Sequence, residues 1–114
     1  MPKKYVPKPG DVVWLEFDPQ IGHEQKGVRP ALVLSPADYN AKTGIMVCCP
    51  ITNQIKGYPF EVVIQNNQAV TGAVLSDQVK SLDWQARNAK YKGAISVDQL
   101  QAVRGRIKAL LLIK

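Results

Sequence analysis

Histidine and cysteine are scarce in this sequence of 114 residues, which has one histidine and two adjacent cysteines. Because neighbouring side chains on a strand point to opposite faces, Cys48 and Cys49 cannot join distant parts of the fold by a disulfide. His23 stands alone, and no second pair of cysteines follows at the spacing of a zinc site. We therefore expect no metal in this protein.

Long apolar runs are absent as well. The longest, "ALLLI" at 109–113, is far shorter than the roughly 20 residues that span a bilayer. The first residues, "MPKKYVPKPG", include lysines but no apolar segment behind them, so they lack the pattern of a signal peptide. These features predict a cytoplasmic protein without membrane contact, and the length suits one domain over residues 1–114.

Acidic side chains are scarce in the last third of the chain. Residues 79–114 carry eight Lys or Arg and two Asp or Glu, while the whole chain has a net charge of +6. Such a basic surface is typical of a protein that binds a polyanion. A soluble protein with a lysine-rich surface has the same composition, so charge alone leaves both interpretations open.

Alternating and β-branched apolar stretches predict a mainly β (α+β) fold. Residues 37–44 are expected to form a turn or one helical turn, and a short helix is expected within 83–93. The C-terminal helix begins at Ser96, which with Gln99 makes a capping-box pattern. Short strands typical of a small barrel or sandwich are expected at 11–17, 29–36, 45–51, 60–64, 69–75 and 76–82.

The end of the C-terminal helix is apolar on every side. Residues 110–113 read Leu-Leu-Leu-Ile, and successive residues turn by about 100° round a helix axis. One core cannot cover all four side chains. Either this end frays or a second copy of the chain covers it, and we favour a homodimer.

Motifs for several kinds of chemistry are missing. The sequence has no Ser-His-Asp order, no phosphate-binding P-loop and no dinucleotide fingerprint, so acyl-transfer triads and phosphate-binding loops have no support. The polar side chains that remain candidates lie on, or directly after, two predicted loops, 18–28 and 52–59.

These two loops carry the groups that RNA cleavage requires. RNA supplies its own nucleophile, the 2′-hydroxyl, so an enzyme must add a base, a proton donor and positive charge at the phosphate. Glu24 suits the base, Arg29 suits the phosphate, and Thr52 offers a hydroxyl donor. A solvated glutamate, an arginine paired with a nearby carboxylate and a threonine capping a turn are the alternative, purely structural roles.

Several short motifs stand in an order that resembles the MazF/PemK toxins, the ribonuclease components of toxin–antitoxin modules. In chain order they are "GDVVWLEFDPQIGHEQKGVRPALVLSP", "YNAKTG", "CCPIT", "KGYPFEV", "SDQVKSLDW" and "AR". The likeness runs from about Tyr5 to the C-terminal helix. It is nearest to the MazF branch, whose members keep the "KGYPFEV" segment.

This resemblance implies a small SH3-like antiparallel β-barrel with short helices and a C-terminal helix, assembled as a homodimer. It also implies a sequence-specific endoribonuclease without metal or cofactor that cuts single-stranded RNA, mainly mRNA, and halts translation. The expected products carry a 2′,3′-cyclic phosphate and a 5′-hydroxyl. A cognate antitoxin should exist, and we expect an acidic, partly disordered chain that wraps the basic toxin.

The catalytic residues of the family fall on Glu24, Arg29 and Thr52, which the chemistry had already selected. The proton donor to the leaving oxygen stays open between Arg29 and His23, because arginine has a very high pKa while histidine titrates near neutrality. We expect the remaining RNA contacts from His23, Gln25, Gln54, Lys56, Tyr58, Asp77 and Gln78.

Individual roles can be assigned within this set. Asp77 and Gln78 match the family and are interpreted as contacts to a base or ribose. Lys56 can meet a phosphate, and Tyr58 can stack on a base, although packing beside Pro59 explains Tyr58 equally well.

Two other functions use the same fold. CcdB-like toxins poison a topoisomerase by binding it and cut no RNA, and a plain RNA-binding module would bind in a salt-sensitive way without cleavage. The presence of Glu24, Arg29 and Thr52 together favours the ribonuclease.

Overall fold

The computed structural model describes residues 4–17 and 27–114, and every strand pairing within them is antiparallel. Among these residues no helix is long and apolar enough to cross a membrane. The predicted fold class, mainly β with a C-terminal helix, is confirmed. The elements are β1 (Asp11–Glu16), β2 (Val28–Val33), α1 (Ala37–Thr43), β3 (Ile45–Thr52), β4 (Glu61–Val63), β5 (Ala73–Leu75), β6 (Lys80–Asp83), β7 (Lys90–Ala94) and α2 (Val97–Leu111).

The strands form one sheet in the order β4-β5-β3-β2-β1-β7, and β6 pairs with β3 outside this path. Strand β3 has three partners. Its first half pairs with β6, its middle with β2 and its last two residues, Ile51 and Thr52, with β5. Strand β3 therefore joins β2, β5 and β6, and its last residue is Thr52.

Both faces of the central strands are covered by apolar side chains. Leu15 of β1 belongs to one buried cluster and Val12 to the other, as the predicted alternation of this strand requires. Leu100 and Val103 of α2 cover the face of Val12, and Trp84 covers the face of Leu15. Each central strand thus holds its register by burying side chains on two sides.

The two cysteines follow the same alternation. Cys48 and Cys49 are free thiols that lie fully buried in the two different clusters, which confirms that they point to opposite faces of the sheet. Burial disfavours the thiolate and raises the pKa of each thiol to about 12.

A buried asparagine ties α1 to the sheet. The Asn40 side chain donates to the carbonyls of Pro7 and Ser35, at 2.9 and 3.0 Å, and accepts from the Ser35 hydroxyl at 2.6 Å. The Trp84 indole N–H donates to the Asn40 carbonyl at 2.9 Å. Because its ring is buried and its N–H is bonded, Trp84 packs in the core.

Helix α2 begins where the capping-box pattern predicts. The Ser96 hydroxyl accepts from the backbone amide of Gln99 at 3.2 Å, which is one of the two hydrogen bonds of a capping box. The Gln99 side chain instead donates to the Val63 carbonyl at 3.4 Å, so the second bond does not form. Residues 110–113 at its far end are exposed, and Leu112 reaches 87% exposure.

The prediction of a short helix within 83–93 is wrong. The Asp83 carboxylate accepts from the Ala86 amide at 2.9 Å, as an N-cap would, yet the segment stops after one turn at Asn88, where φ is +55°. Residues 90–94 then pair with β1 as strand β7. An open strand edge gains more from a partner than these residues gain from a short helix.

The buried thiols predict a fall in stability at alkaline pH. The pKa of Cys48 and Cys49 is higher in the folded than in the unfolded chain, so their contribution is complete below pH ~9 and is lost as pH rises towards 12. Each thiol should remove about 1.4 kcal/mol per pH unit in this window. Urea unfolding at pH 8 to 10.5, wild type against the Cys48→Ala/Cys49→Ala variant, measures this slope. Equal slopes in the two proteins would contradict the assignment.

Candidate active site

The register of β2 and β3 brings Arg29 and Thr52 together. The ladder between these strands ends at the Ala31–Pro50 pair, where Pro50 has no N–H to donate. Arg29 and Thr52 each lie two residues beyond this last pair, Arg29 towards the start of β2 and Thr52 at the end of β3. The exposed Arg29 and half-buried Thr52 line one cavity of about 300 Å³.

A second cavity of about 390 Å³ adjoins the first, since Thr52 and Gln54 line both. We call the two together the site groove. Seven of the ten predicted site residues line it, namely Arg29, Thr52, Gln54, Lys56, Tyr58, Asp77 and Gln78. Residues that are far apart in the chain thus meet in one place, as the prediction requires.

The other three predicted site residues, His23, Glu24 and Gln25, lie outside the described residues. The described chain on either side of them is joined, because the Phe17 amide donates to the Gly27 carbonyl at 2.9 Å. Arg29 follows two residues after Gly27, so this junction stands beside the groove.

Thr52 is held by its neighbours on both sides. Its backbone pairs with Ala73, and its hydroxyl oxygen accepts from the Gln54 amide at 3.0 Å. Since the hydroxyl acts as an acceptor in that bond, its own proton can be donated to a phosphate oxygen.

The close approach of Gly72 fixes this end of β3. Gly72 has φ of +109°, and a Cβ built there would lie 2.5 Å from the Thr52 carbonyl oxygen and 2.9 Å from the Asn53 side chain. Only glycine fits such a contact without displacement. A glycine within an apolar stretch is a known signal for close backbone approach, so the sequence held a clue to this position.

Two polar residues of the site groove were missing from the predicted site. Asn53 lines the first cavity and accepts from the Thr71 hydroxyl at 3.3 Å, and its place beside Thr52 in a polar loop could have identified it. Glu61 lines the second cavity but lies at the start of β4, where alternation alone marks it as an ordinary surface residue.

Asp77 and Gln78 reach the groove through a turn after β5. The Gln78 amide donates to the Leu75 carbonyl at 3.0 Å, and the Ser76 amide donates to the Phe60 carbonyl at 3.0 Å. Asp77 is exposed and Gln78 is half-buried, which leaves a carboxylate and an amide for hydrogen bonds with a ligand.

Among residues 4–17 and 27–114, no group of three or more His, Cys, Asp or Glu side chains could hold a metal ion. The groove instead combines one guanidinium, one ammonium, a phenol ring, hydroxyl and amide groups and two carboxylates. Guanidinium and hydroxyl groups bind phosphate oxygens, while amides, carboxylates and aromatic rings bind the edges and faces of bases.

Comparison with known proteins identifies the family. The description "PemK-like, MazF-like toxin of type II toxin-antitoxin system" matches residues 8–111 of the chain. The chain belongs to this family. The family predicted from the ordered motifs is therefore confirmed, and so is the enzyme class, since the curated relatives are endoribonucleases.

Similar proteins cover almost the whole chain. The endoribonuclease toxin MazF of Escherichia coli K12 is 50% identical over 111 residues, which is 97% of this chain and 99% of that protein. The crystal structure of MazF from Deinococcus radiodurans matches with a TM-score of 0.92 and 52% identity, covering 96% of this chain and 100% of that one. A MazE-MazF crystal structure from the same organism matches with a TM-score of 0.87 and 46% identity, covering 97% and 100%.

The contact at Gly72 predicts a position-specific effect of an added methyl group. Gly72→Ala places a Cβ against the Thr52 carbonyl and should lower stability by about 1–3 kcal/mol while displacing Thr52. The control is Gly105→Ala in α2, where no atom lies within 4 Å of the added Cβ and alanine favours the helix by up to ~1 kcal/mol. Thermal unfolding of both variants measures the difference. A Gly72→Ala protein as stable as the wild type would contradict the close approach.

Proposed function

We propose that this chain is a toxin that cuts single-stranded RNA, mainly mRNA, at a specific sequence and without a metal or cofactor, and thereby stops translation. The observation that carries the proposal is the meeting of Arg29 and Thr52 in one cavity beyond the end of the β2–β3 ladder, continuous with the cavity lined by Lys56 and Tyr58. Its substrate places its action in the cytoplasm.

The chemistry uses the 2′-hydroxyl of the RNA. Glu24 takes the proton as this oxygen attacks the neighbouring phosphorus, and the new O2′–P bond forms while the P–O5′ bond breaks. The 5′-oxygen leaves with a proton from His23 or Arg29, which gives a 2′,3′-cyclic phosphate and a 5′-hydroxyl. Arg29 stabilises charge on the phosphoryl oxygens, and Thr52 donates to one of them to orient the phosphate.

The second cavity reads the bases. Lys56 meets a backbone phosphate, and the exposed Tyr58 ring offers a stacking surface. Asp77 accepts from base amino groups, and Gln78 can both donate and accept. Gln54, shared by both cavities, contacts the nucleotide next to the cut, and Gln25 adds to these contacts.

Two macromolecular partners belong to the proposal. Residues 110–113 are apolar and exposed at the end of α2, which favours a homodimer that covers them. The basic excess of residues 79–114 and the similarity to the toxin of the MazE-MazF structure favour an acidic, partly disordered antitoxin.

Co-expression tests the antitoxin. An acidic protein encoded next to this chain, when co-expressed with it, should bind it and relieve growth arrest. Failure to bind contradicts this partner.

Cleavage of a long single-stranded RNA in EDTA tests the activity. The wild type should cut at one short sequence. Glu24→Gln, Arg29→Ala and Thr52→Val should each lower the rate by about 10²-fold or more, because each removes a base, a charge or a donor that acts in the transition state. Mapping the cut ends and the rates gives the measurement.

Lys42→Ala is the matched control for Arg29→Ala, since it also removes an exposed cation but lies on α1 outside the site groove. It should cut like the wild type. Full activity in both Glu24→Gln and Arg29→Ala would show that the site is wrong. Binding without any cutting by the wild type would instead favour a non-catalytic RNA-binding module.

The homodimer predicts a mass of twice the 12.6 kDa chain in light scattering. Leu111→Glu should shift the protein towards the monomer, because Leu111 is 59% exposed on the apolar end of α2 and a buried carboxylate there would lack a partner. Val97→Glu, at the opposite end of α2 and 72% exposed, is the control and should stay dimeric. A monomeric wild type at micromolar concentration rules the dimer out.

A further inference from the structure

Two carboxylates, Glu61 and Asp77, line a cavity in which a polyanion is proposed to bind. A carboxylate in such a place repels phosphate unless its charge is already engaged. Glu61 can line this cavity because its carboxylate faces the protein backbone, where hydrogen bonds already engage its charge.

Glu61 accepts hydrogen bonds from three successive backbone amides. Its Oε1 lies 3.0 Å from the amide of Lys56, 2.7 Å from that of Gly57 and 3.3 Å from that of Tyr58, and Oε2 adds a contact of 3.3 Å to Lys56. Hydrogen bonds to an ionised acceptor are about twice as strong as neutral ones. One side chain at the start of β4 therefore holds the whole turn before it.

The turn has the geometry of an anion-binding nest. Gly57 has φ of +81°, and successive amides around a left-handed residue point inward to form a concave site for negative charge. No atom lies within 4 Å of a Cβ built at Gly57, so glycine is needed there for its φ and not for space. The anion in this nest is the carboxylate of the same chain.

The held residues are the ones that carry the proposed RNA contacts. Lys56 and Tyr58 both line the second cavity, and their backbone amides are bound to Glu61. From the other side, the Arg106 Nε of α2 donates to the Pro59 carbonyl at 2.9 Å. Fixing the backbone in advance lowers the ordering cost that RNA binding would otherwise carry.

We propose that Glu61 is a positioning residue that strengthens RNA binding by holding Lys56 and Tyr58 in the second cavity, apart from the bond-breaking groups around Arg29. The inference rests on the proposed nuclease function. It separates two tasks in the site groove, since Glu61 acts on RNA binding while Arg29 and Thr52 act on the phosphate at the cut.

Cleavage of short RNA substrates tests this role. The substrates carry the preferred sequence, and kcat and KM are measured for each variant. Glu61→Ala should raise KM by about tenfold, the scale of one stacked base, and leave kcat nearly unchanged. Gly57→Ala, which disfavours the left-handed turn, should do the same. Glu61→Gln should be rescued in part, because three of the four contacts use Oε1 alone.

Asp38→Ala is the control, because it removes a carboxylate from α1 outside the site groove, and it should leave KM unchanged. A wild-type KM in both Glu61→Ala and Gly57→Ala would overturn the proposal. If one of them fails to fold, Glu61→Gln decides, since a raised KM with an unchanged kcat supports the role and an unchanged KM overturns it.

Hydrogen exchange separates this inference from the nuclease function. The amides of Lys56, Gly57 and Tyr58 should exchange slowly in the wild type and at least about tenfold faster in Glu61→Ala, because their acceptor is gone. Unprotected amides in the wild type overturn the positioning role of Glu61 even if RNA is cut. Intact RNA with protected amides overturns the nuclease function and the effect on KM, while the hydrogen bonds of Glu61 to the three amides stand.

Discussion

The pairing of β3 on both of its edges is the constraint on which the site depends. At Cys48 the strand pairs with Val33 of β2 and with Lys80 of β6, and at its end Thr52 pairs with Ala73 of β5. A strand held in this way cannot slide without breaking several ladders at once. The position of Thr52, which lines one cavity with Arg29, is therefore set by pairings well inside the sheet.

The two apolar clusters protect this register. Cys48 is buried on one face of β3 and Cys49 on the other, so a slip by one residue would exchange two buried faces. The two cysteines thus act as small apolar side chains in the core. The polar groups of the site groove lie instead at the edge of the sheet, beyond the point where the pairing of β2 with β3 ends.

Much of this arrangement could be predicted from the sequence because it depends on local patterns. Alternation located β1, a continuous apolar run located β3, and the needs of RNA cleavage selected Arg29 and Thr52, which the fold then placed in one cavity. Residues 90–94 could not be predicted in the same way, because they became a strand only through the open edge of β1.

The role of Glu61 was equally hidden from the sequence. The three amides that donate to its carboxylate converge only once Gly57 adopts a left-handed conformation, and no pattern of residues predicts that geometry. Glycines carry part of this information, since Gly57 and Gly72 each permit a backbone arrangement that a Cβ would disturb. Their partners become visible only in the folded chain.

The central claim is that the RNA supplies the nucleophile to a site built around Arg29 and Thr52. The most direct measurement replaces one 2′-hydroxyl, that of the nucleotide before the cut, by hydrogen in an otherwise unchanged RNA oligonucleotide. We predict that this substrate still binds but is no longer cut at that bond, because no oxygen is left to attack the phosphorus. Cleavage of the substituted bond at the rate of the unmodified RNA would contradict the account.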